Sequence, residues 1–371
     1  MASKTGLLLI NLGTPSAPTT EAVRPYLREF LSDPRVINVP APLRWFLVNV
    51  IIAPFRAPKS AHAYQSIWTE RGSPLLVASQ DLAEKVKARL DEISAAAGTE
   101  PVVVELAMRY GEPSIRGALE KLKRQGTERV VVFPLYPQYS SATSGSSMER
   151  VIEIARDEWA MPSLCFVPPF YEHPAFLDAA AAAGQPVLDE LEPDHVLFSF
   201  HGLPEDHITM CDQTGQHCLK KDDCCDAISD VNAFCYRAQC VATTRGIASR
   251  LGLDKEQHSL SFQSRLGQQE WVKPYTDDVV RELARRGKKR LAVFCPAFVA
   301  DCLETLEEIG MRARDDFVAA GGEELRLVPC VNDHPAWVEA VVRLSQECSG
   351  WLPSTTAETQ RVTQPLSALP A

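Results

Sequence analysis

The chain of 371 residues carries a formal net charge of −10, with 45% apolar and 23% charged residues. This composition suits an ordinary globular protein of one large or two medium domains. It excludes a nucleic-acid binder that works through a basic surface, because phosphate neutralisation needs a surplus of Lys and Arg.

Met1-Ala2-Ser3-Lys4 runs straight into an apolar strand, residues 6–12, which ends at Gly13-Thr14-Pro15. Without a longer apolar run and a small-residue cleavage site, this start does not read as an export signal. Residues 40–73 follow, with an apolar core at 43–55 broken by Arg44, Asn49 and Pro54. That core falls short of the roughly 20 apolar residues that span a bilayer. It reads either as a buried helix or as a surface lip that touches substrate or membrane. Helical patterns are predicted at 79–92, 114–124 and 276–286, and continuous apolar strands at 101–106, 130–133, 195–200 and 291–294. Continuous rather than alternating runs fit parallel strands buried on both faces. Residues 351–371, rich in Thr, Pro, Ser and Ala, are predicted to be a disordered tail.

The chain is duplicated. Leu122, Gly126, Arg129 and Phe133 recur as Leu283, Gly287, Arg290 and Phe294, a constant offset (283 − 122 = 161). Val167-Pro168 and His173-Pro174 recur at the same offset as Val328-Pro329 and His334-Pro335. The strand-ending glycines, Gly13 and Gly202, stand farther apart (202 − 13 = 189), so the first copy holds extra residues, assigned to 40–73. Two copies of one strand-and-helix unit predict an α/β fold of two Rossmann-like domains, each a parallel sheet flanked by helices. The expected division is 1–170, including the lip, and 171–350, including a cysteine-rich insert at 205–240. Ligands of such sheets bind beyond the carboxyl ends of the strands. No two glycines stand at i and i+2, so a G-x-G-x-x-G turn is absent, as are a P-loop and a G-x-S-x-G elbow.

Two segments carry chemistry. Ser199-Phe200-His201-Gly202-Leu203-Pro204 puts an imidazole on the turn after a buried strand, where a neutral His can accept a proton or hold a metal. The alternative is a histidine satisfied by backbone hydrogen bonds. Farther on, Asp301, Glu304 and Glu308 are spaced i, i+3, i+7, and lie on one face if the segment is helical. They read either as a solvated acidic face or as a carboxylate row that conducts metal or protons.

Eight stretches in order, 7–15, 26–34, 67–75, 107–115, 134–145, 199–204, 261–277 and 298–309, resemble those of ferrochelatases, and the resemblance spans nearly the whole chain. It implies two chelatase-type domains with protoporphyrin IX in the cleft between them and ferrous iron inserted to form protohaem. His201 matches the family's catalytic histidine and Glu304 its acidic partner, with Asp301 and Glu308 on the same path. Leu12, Arg109, Tyr110, Tyr139, Ser140 and Trp271 match positions near the porphyrin. Arg suits a propionate because its planar fork bonds carboxylates bidentately. Iron enters the ring only after two pyrrole protons leave, so a base must stand beside the ring centre. Two assignments stay open: His201 as base with iron arriving from the other face, or His201 and Glu304 holding iron together. Residues 43–55 would form the entry lip and a peripheral contact with the inner face of the membrane. The protein is expected to be cytoplasmic and monomeric. Other readings are a coproporphyrin III or other tetrapyrrole chelatase, and a non-catalytic iron or haem sensor on the same fold.

Eleven cysteines with no export signal in view are expected as thiols rather than disulfides. Cys211-x6-Cys218-x5-Cys224-Cys225, followed by Cys235 and Cys240, matches neither zinc-ribbon nor ferredoxin spacing. Soft metal, structural zinc and free thiols all remain open on spacing alone. Some bacterial ferrochelatases resemble this chain in having a cysteine-rich insert that holds a [2Fe–2S] cluster. The resemblance implies Cys211, Cys218, Cys224 and Cys225 as ligands, with Cys235 or Cys240 as substitutes. Cys165, Cys295, Cys330 and Cys348 read as core or surface cysteines.

Overall fold

The computed structural model describes residues 3–265 and 269–354; of the expected tail, 355–371 lies outside the described residues. Among the described residues, eight parallel strands make two sheets. The first is built from β1 (Thr5–Gly13), β2 (Val103–Tyr110), β3 (Arg129–Pro134) and β4 (Ser163–Phe166), in the order β2-β1-β3-β4. The second is built from β5 (His195–His201), β6 (His258–Gln263), β7 (Arg290–Phe294) and β8 (Glu324–Leu327), in the order β6-β5-β7-β8. The matching orders are the structural form of the sequence repeat. Central strand β1 buries Leu7, Leu8, Leu9 and Ile10 completely, because helices cover both faces of the sheet.

Between β1 and β2 lie α1 (Thr20–Leu31), α2 (Ala41–Phe46), α3 (Ala53–Ile67) and α4 (Pro74–Ala97), and a π-helical turn, Leu47–Ile52, joins α2 to α3. The extra residues at 40–73 thus become α2, the π turn and α3. Helix α5 (Ile115–Arg124) precedes β3, and the π turn Ser141–Gly145 leads into α6 (Ser146–Arg156). After β4 come α7 (Pro174–Leu191), α8 (Glu205–Thr209), α9 (Tyr236–Arg250) and α10 (Thr276–Arg285). The last helices among the described residues are α11 (Leu303–Leu306), α12 (Arg314–Ala319) and α13 (Pro335–Ser349). The repeated His-Pro pairs start α7 and α13 in the same way. His173 Nδ1 accepts from the Ala175 N–H at 3.3 Å and His334 Nδ1 from the Ala336 N–H at 3.2 Å, while Pro occupies the first helical position.

The lip is exposed, which settles the choice between buried helix and surface segment. Trp45 is 63% exposed and Phe55 78%, with Leu43, Phe46, Val50 and Ile51 beside them. No helix among the described residues is long and apolar enough to cross a membrane.

A cut at residue 170 does not separate the packing. Helix α13 packs on β3 and β4 of the first sheet, while α7 packs on β7 of the second. Trp337 of α13, fully buried, stands 6.4 Å from the Phe133 ring of β3 and 5.6 Å from Phe170. The described chain also continues past the expected start of the tail. Leu352 is buried, and the Arg129 guanidinium lies 5.7 Å over the Trp351 ring.

Candidate active site

His201 is the last residue of β5, where the buried strand reaches the surface of the sheet. Its Nδ1 lies 2.6 Å from the Gly202 carbonyl oxygen, which can only accept. In the neutral imidazole Nδ1 therefore carries the proton and Nε2 the lone pair. Tyr236, at the start of α9, donates its hydroxyl to the His201 carbonyl at 2.8 Å. Trp271 and Phe298 flank the imidazole at 6.3 and 6.2 Å. Gly202 is required at the turn, because a Cβ there would stand 2.9 Å from the Gln263 carbonyl oxygen and 3.2 Å from the Trp271 ring.

Glu304 sits in the first turn of α11. The cap is Cys302, whose N–H donates to Thr305 Oγ1 at 3.0 Å. Burial, and after it the Glu304 charge beside it, pushes the Cys302 thiol well up. The same charge, second to burial, raises the Tyr64 hydroxyl of α3, and it adds to the rise at Tyr26 of α1. Glu304 therefore faces α1 and α3 of the first half of the chain. Leu303 and Leu306 pack on the cluster of Val23, Tyr26, Tyr64 and Tyr110, against which Leu12 also packs.

One side chain that the sequence reading did not single out ties these two segments together. Gln263, buried at the end of β6, donates Nε2–H to the Glu304 carbonyl at 2.6 Å and accepts the Ser199 hydroxyl at 2.7 Å. Its own carbonyl accepts the Gly202 N–H at 2.8 Å. The matched stretch 261–277 contained it, but nothing in its local pattern pointed to a bridge.

The acidic row does not form one helical face. Helix α11 ends at Leu306, and Glu308 opens a separate π turn, Glu308–Ala313. The Asp301 carboxylate is engaged by Asn332 Nδ2 at 2.7 Å, Thr305 Oγ1 at 3.1 Å and the Cys330 N–H at 3.3 Å. Glu308 accepts from the Ser264 hydroxyl and pairs with Arg312 at 2.9 Å.

Among the expected porphyrin neighbours, Arg109 and Tyr110 turn inward. Tyr110 is fully buried and donates its hydroxyl to Asp33 Oδ2 at 2.8 Å, so it cannot face a ligand as placed. Arg109 donates to the same oxygen at 2.7 Å and to Ser146 Oγ at 2.7 Å, and its guanidinium lies 4.4 Å over the Tyr110 ring. Arg109 thus gives Nη2 to a structural ion pair with Asp33 and Nε to Ser146. Burial pulls the Asp33 carboxyl up, but bonds from Ser146, the Arg35 N–H and Tyr110, with the Arg109 charge, outweigh it and hold it below the usual carboxylate range. Ser140 is buried and caps the π turn, accepting the Thr143 N–H at 3.2 Å. Tyr139 is half-buried, its ring 5.2 Å from Phe234 and its N–H held by Gln239 Oε1 at 2.7 Å. Trp271 is nearly buried and stays beside His201.

The cysteine insert does not assemble the expected four. Cys218 and Cys225 each contact the Cys235 thiol, and Cys224 Sγ lies 3.7 Å from Cys225 Sγ. Arg237 reaches Cys225 Sγ at 3.0 Å. Cys211 instead points its thiol at the His207 carbonyl, 3.4 Å away. Cys240 is buried beside Tyr236. Among the described residues, no group of three or more His, Cys, Asp or Glu side chains is placed to hold a metal ion. Neither the set with Cys211 nor one with Cys235 is therefore gathered as a cluster site as folded, although the donor chemistry of Cys218, Cys224, Cys225 and Cys235 is that of a soft-metal site.

A family model described as Ferrochelatase matches residues 4–348. A ferrochelatase of Stutzerimonas stutzeri is 50% identical over 339 residues, covering 91% of this chain and 96% of the relative. One from Coxiella burnetii is 45% identical over 345 residues, covering 93% and 94%. Among solved structures, SirB from Bacillus subtilis with Fe3+ covers 96% of this chain and 98% of its own, with a TM-score of 0.52 at 12% identity. At that identity the likeness speaks for the fold alone, a two-sheet chelatase-type α/β architecture.

Proposed function

The chain belongs to the ferrochelatase family, and from that membership we propose that it inserts ferrous iron into protoporphyrin IX, releasing two protons and forming protohaem. The observation that carries the reading is the His201 imidazole. Its Nε2 lone pair stands at a strand end, and Gln263 ties that end to the turn bearing Glu304.

In this reading Nε2 of His201 accepts a pyrrole proton, and the bond from Nδ1 to the Gly202 carbonyl steadies the imidazolium that forms. Glu304 offers a carboxylate to the incoming ferrous ion, which is substrate and not resident cofactor. Asp301 and Glu308 act as supports, since each is already bonded within its own turn. Leu12, Tyr139 and Trp271 supply apolar wall, and Ser140 shapes the π turn beside it. Arg109 and Tyr110 hold that wall from behind through Asp33.

The exposed Trp45 and Phe55 support a peripheral contact with the inner face of the membrane, for a monomeric cytoplasmic protein whose substrate partitions into lipid. A [2Fe–2S] cluster in the insert would be held by Cys218, Cys224, Cys225 and Cys235. When bound it would supply rigidity to the segment behind His201, because insertion transfers no electrons.

The test is anaerobic metallation of protoporphyrin IX by Fe2+, followed as loss of porphyrin fluorescence, with His201→Ala in parallel. Turnover in the parent and none in a folded variant is expected. A parent that metallates coproporphyrin III and leaves protoporphyrin untouched would overturn the substrate assignment. No turnover with either would favour the sensor.

A further inference from the structure

Cys165 and Cys348 come from opposite ends of the duplication and meet where α13 crosses onto the first sheet. Cys165 lies in β4, the edge strand, and Cys348 in the last turn of α13. Their Sγ atoms are 2.8 Å apart, and Cys165 Sγ is 3.3 Å from the Cys348 carbonyl. The adjacent Cys224 and Cys225, by comparison, rest at 3.7 Å. A disulfide bond needs about 2.05 Å, so the approach required at Cys165–Cys348 is small and lies along one line. Both residues are partly exposed, so a small oxidant can reach them, whereas Cys218, Cys224, Cys225, Cys235 and Cys240 are buried.

The surroundings hold this approach in place. Trp337 of α13 is locked among Phe133, Phe170 and Phe176 at 5.6–6.4 Å. Past the helix, the Thr5 hydroxyl donates to the Trp351 carbonyl at 3.5 Å, on the same sheet. Glu347, next to Cys348, bonds His173 Nε2 at 3.0 Å at the start of α7. The two thiols are therefore positioned by three contacts that do not depend on them. Burial, and then Cys165 itself, pushes the Cys348 thiol up to about 12.

We propose that Cys165 and Cys348 form an oxidation site, a reversible disulfide that fastens the exchanged helix α13 to the edge strand β4. The oxidant is a low-molecular-weight disulfide. One cysteine thiolate attacks it, forming a mixed disulfide and expelling one thiolate, which takes up a proton. The second cysteine then loses its proton and displaces the other half. The protein loses two electrons and two protons, and the small disulfide is reduced to two thiols. Because the bond closes a loop across 183 residues, it restrains the unfolded chain strongly.

The experiment uses the full chain, fully reduced and then exposed to oxidised glutathione. Remaining thiols are alkylated and the protein is digested without reductant for mass spectrometry. A peptide pair linked through Cys165 and Cys348 is expected. Its appearance should raise the thermal unfolding midpoint by several degrees, a rise reversed by dithiothreitol. Cys348→Ser should remove both the link and the rise, and Cys165→Ala repeats the test should the first variant fold poorly. Recovery of both residues alkylated, or of separate glutathione adducts with no link between them, in the parent protein would overturn the proposal.

Discussion

Asp33→Asn removes one charge and almost no volume from the centre of the first half of the chain. Three donors converge on Asp33 Oδ2: Arg109 Nη2 at 2.7 Å, the Tyr110 hydroxyl at 2.8 Å and the Ser146 hydroxyl at 2.5 Å. The Arg35 N–H takes Oδ1 at 2.7 Å. An asparagine keeps one acceptor oxygen, so its amide nitrogen must face either that N–H or the cluster of three. The Arg109 and Asp33 side chains are 14% and 3% exposed, so the guanidinium left behind cannot be rescued by water. Removing one member of a buried pair costs about 3–5 kcal/mol. Urea unfolding, read by fluorescence, should show that loss. The pH dependence has a defined sign. The folded carboxyl sits below its ordinary value of about 3.9, so its contribution is complete above that value and is lost as pH falls through the lower, folded one. The variant should lack this part of the acid slope. In the double variant Asp33→Asn with Arg109→Met, the two losses should add to less than their sum, since no orphaned charge remains. Unchanged stability in Asp33→Asn, or strict additivity in the double variant, would refute the view that Arg109 is committed to Asp33.

Gln263→Leu should leave the Glu304 carbonyl without its partner, while the Ser199 hydroxyl keeps Thr276 Oγ1 at 2.8 Å, and cost about 1–3 kcal/mol. As a positioning change it should lower kcat by about 10- to 100-fold with little effect on porphyrin KM; a rise in KM alone would argue that it lines the substrate site instead. His195, nearly buried with Nε2 2.8 Å from Ser259 Oγ, is pushed down to about 4 by burial, with the Lys288 and His258 charges adding to it. The unfolded chain takes up a proton below about 6.5 that the folded state refuses, so stability should fall by roughly 3 kcal/mol between those values. His195→Gln should flatten that part of the pH–stability curve, and an unaltered slope would exclude His195 as its source.

Much of this molecule is legible in the chain itself. Continuous apolar runs marked parallel strands, because a strand covered on both faces has no polar side to show. The offset of 161 residues between repeats anticipated two sheets of one topology, and the surplus between the strand-ending glycines located the 40–73 excursion. His201 could be placed at a strand end because burial stops at that residue.

Tertiary packing decided what pattern could not. Periodicity records that a helix hides one face and says nothing of what covers it. The exchange of α13 onto the first sheet, and with it the meeting of Cys165 with Cys348, is therefore invisible in either segment alone. Charge shows the same limit. Arg109 matches a position beside a ligand, yet its Nη2 bonds Asp33, 76 residues away in sequence, and the Tyr110 hydroxyl meets the same oxygen. The spacing of the cysteine insert left its chemistry open and Cys211 came from the family resemblance, while the turns of the folded loop bring Cys235 to Cys218 and Cys225. The sequence by itself determined which elements form and which side chains carry chemistry, because both depend on local pattern and residue type. Which of those side chains meet is set by long-range burial, where each group takes the partner that best offsets its desolvation, and only the assembled fold specifies that partner.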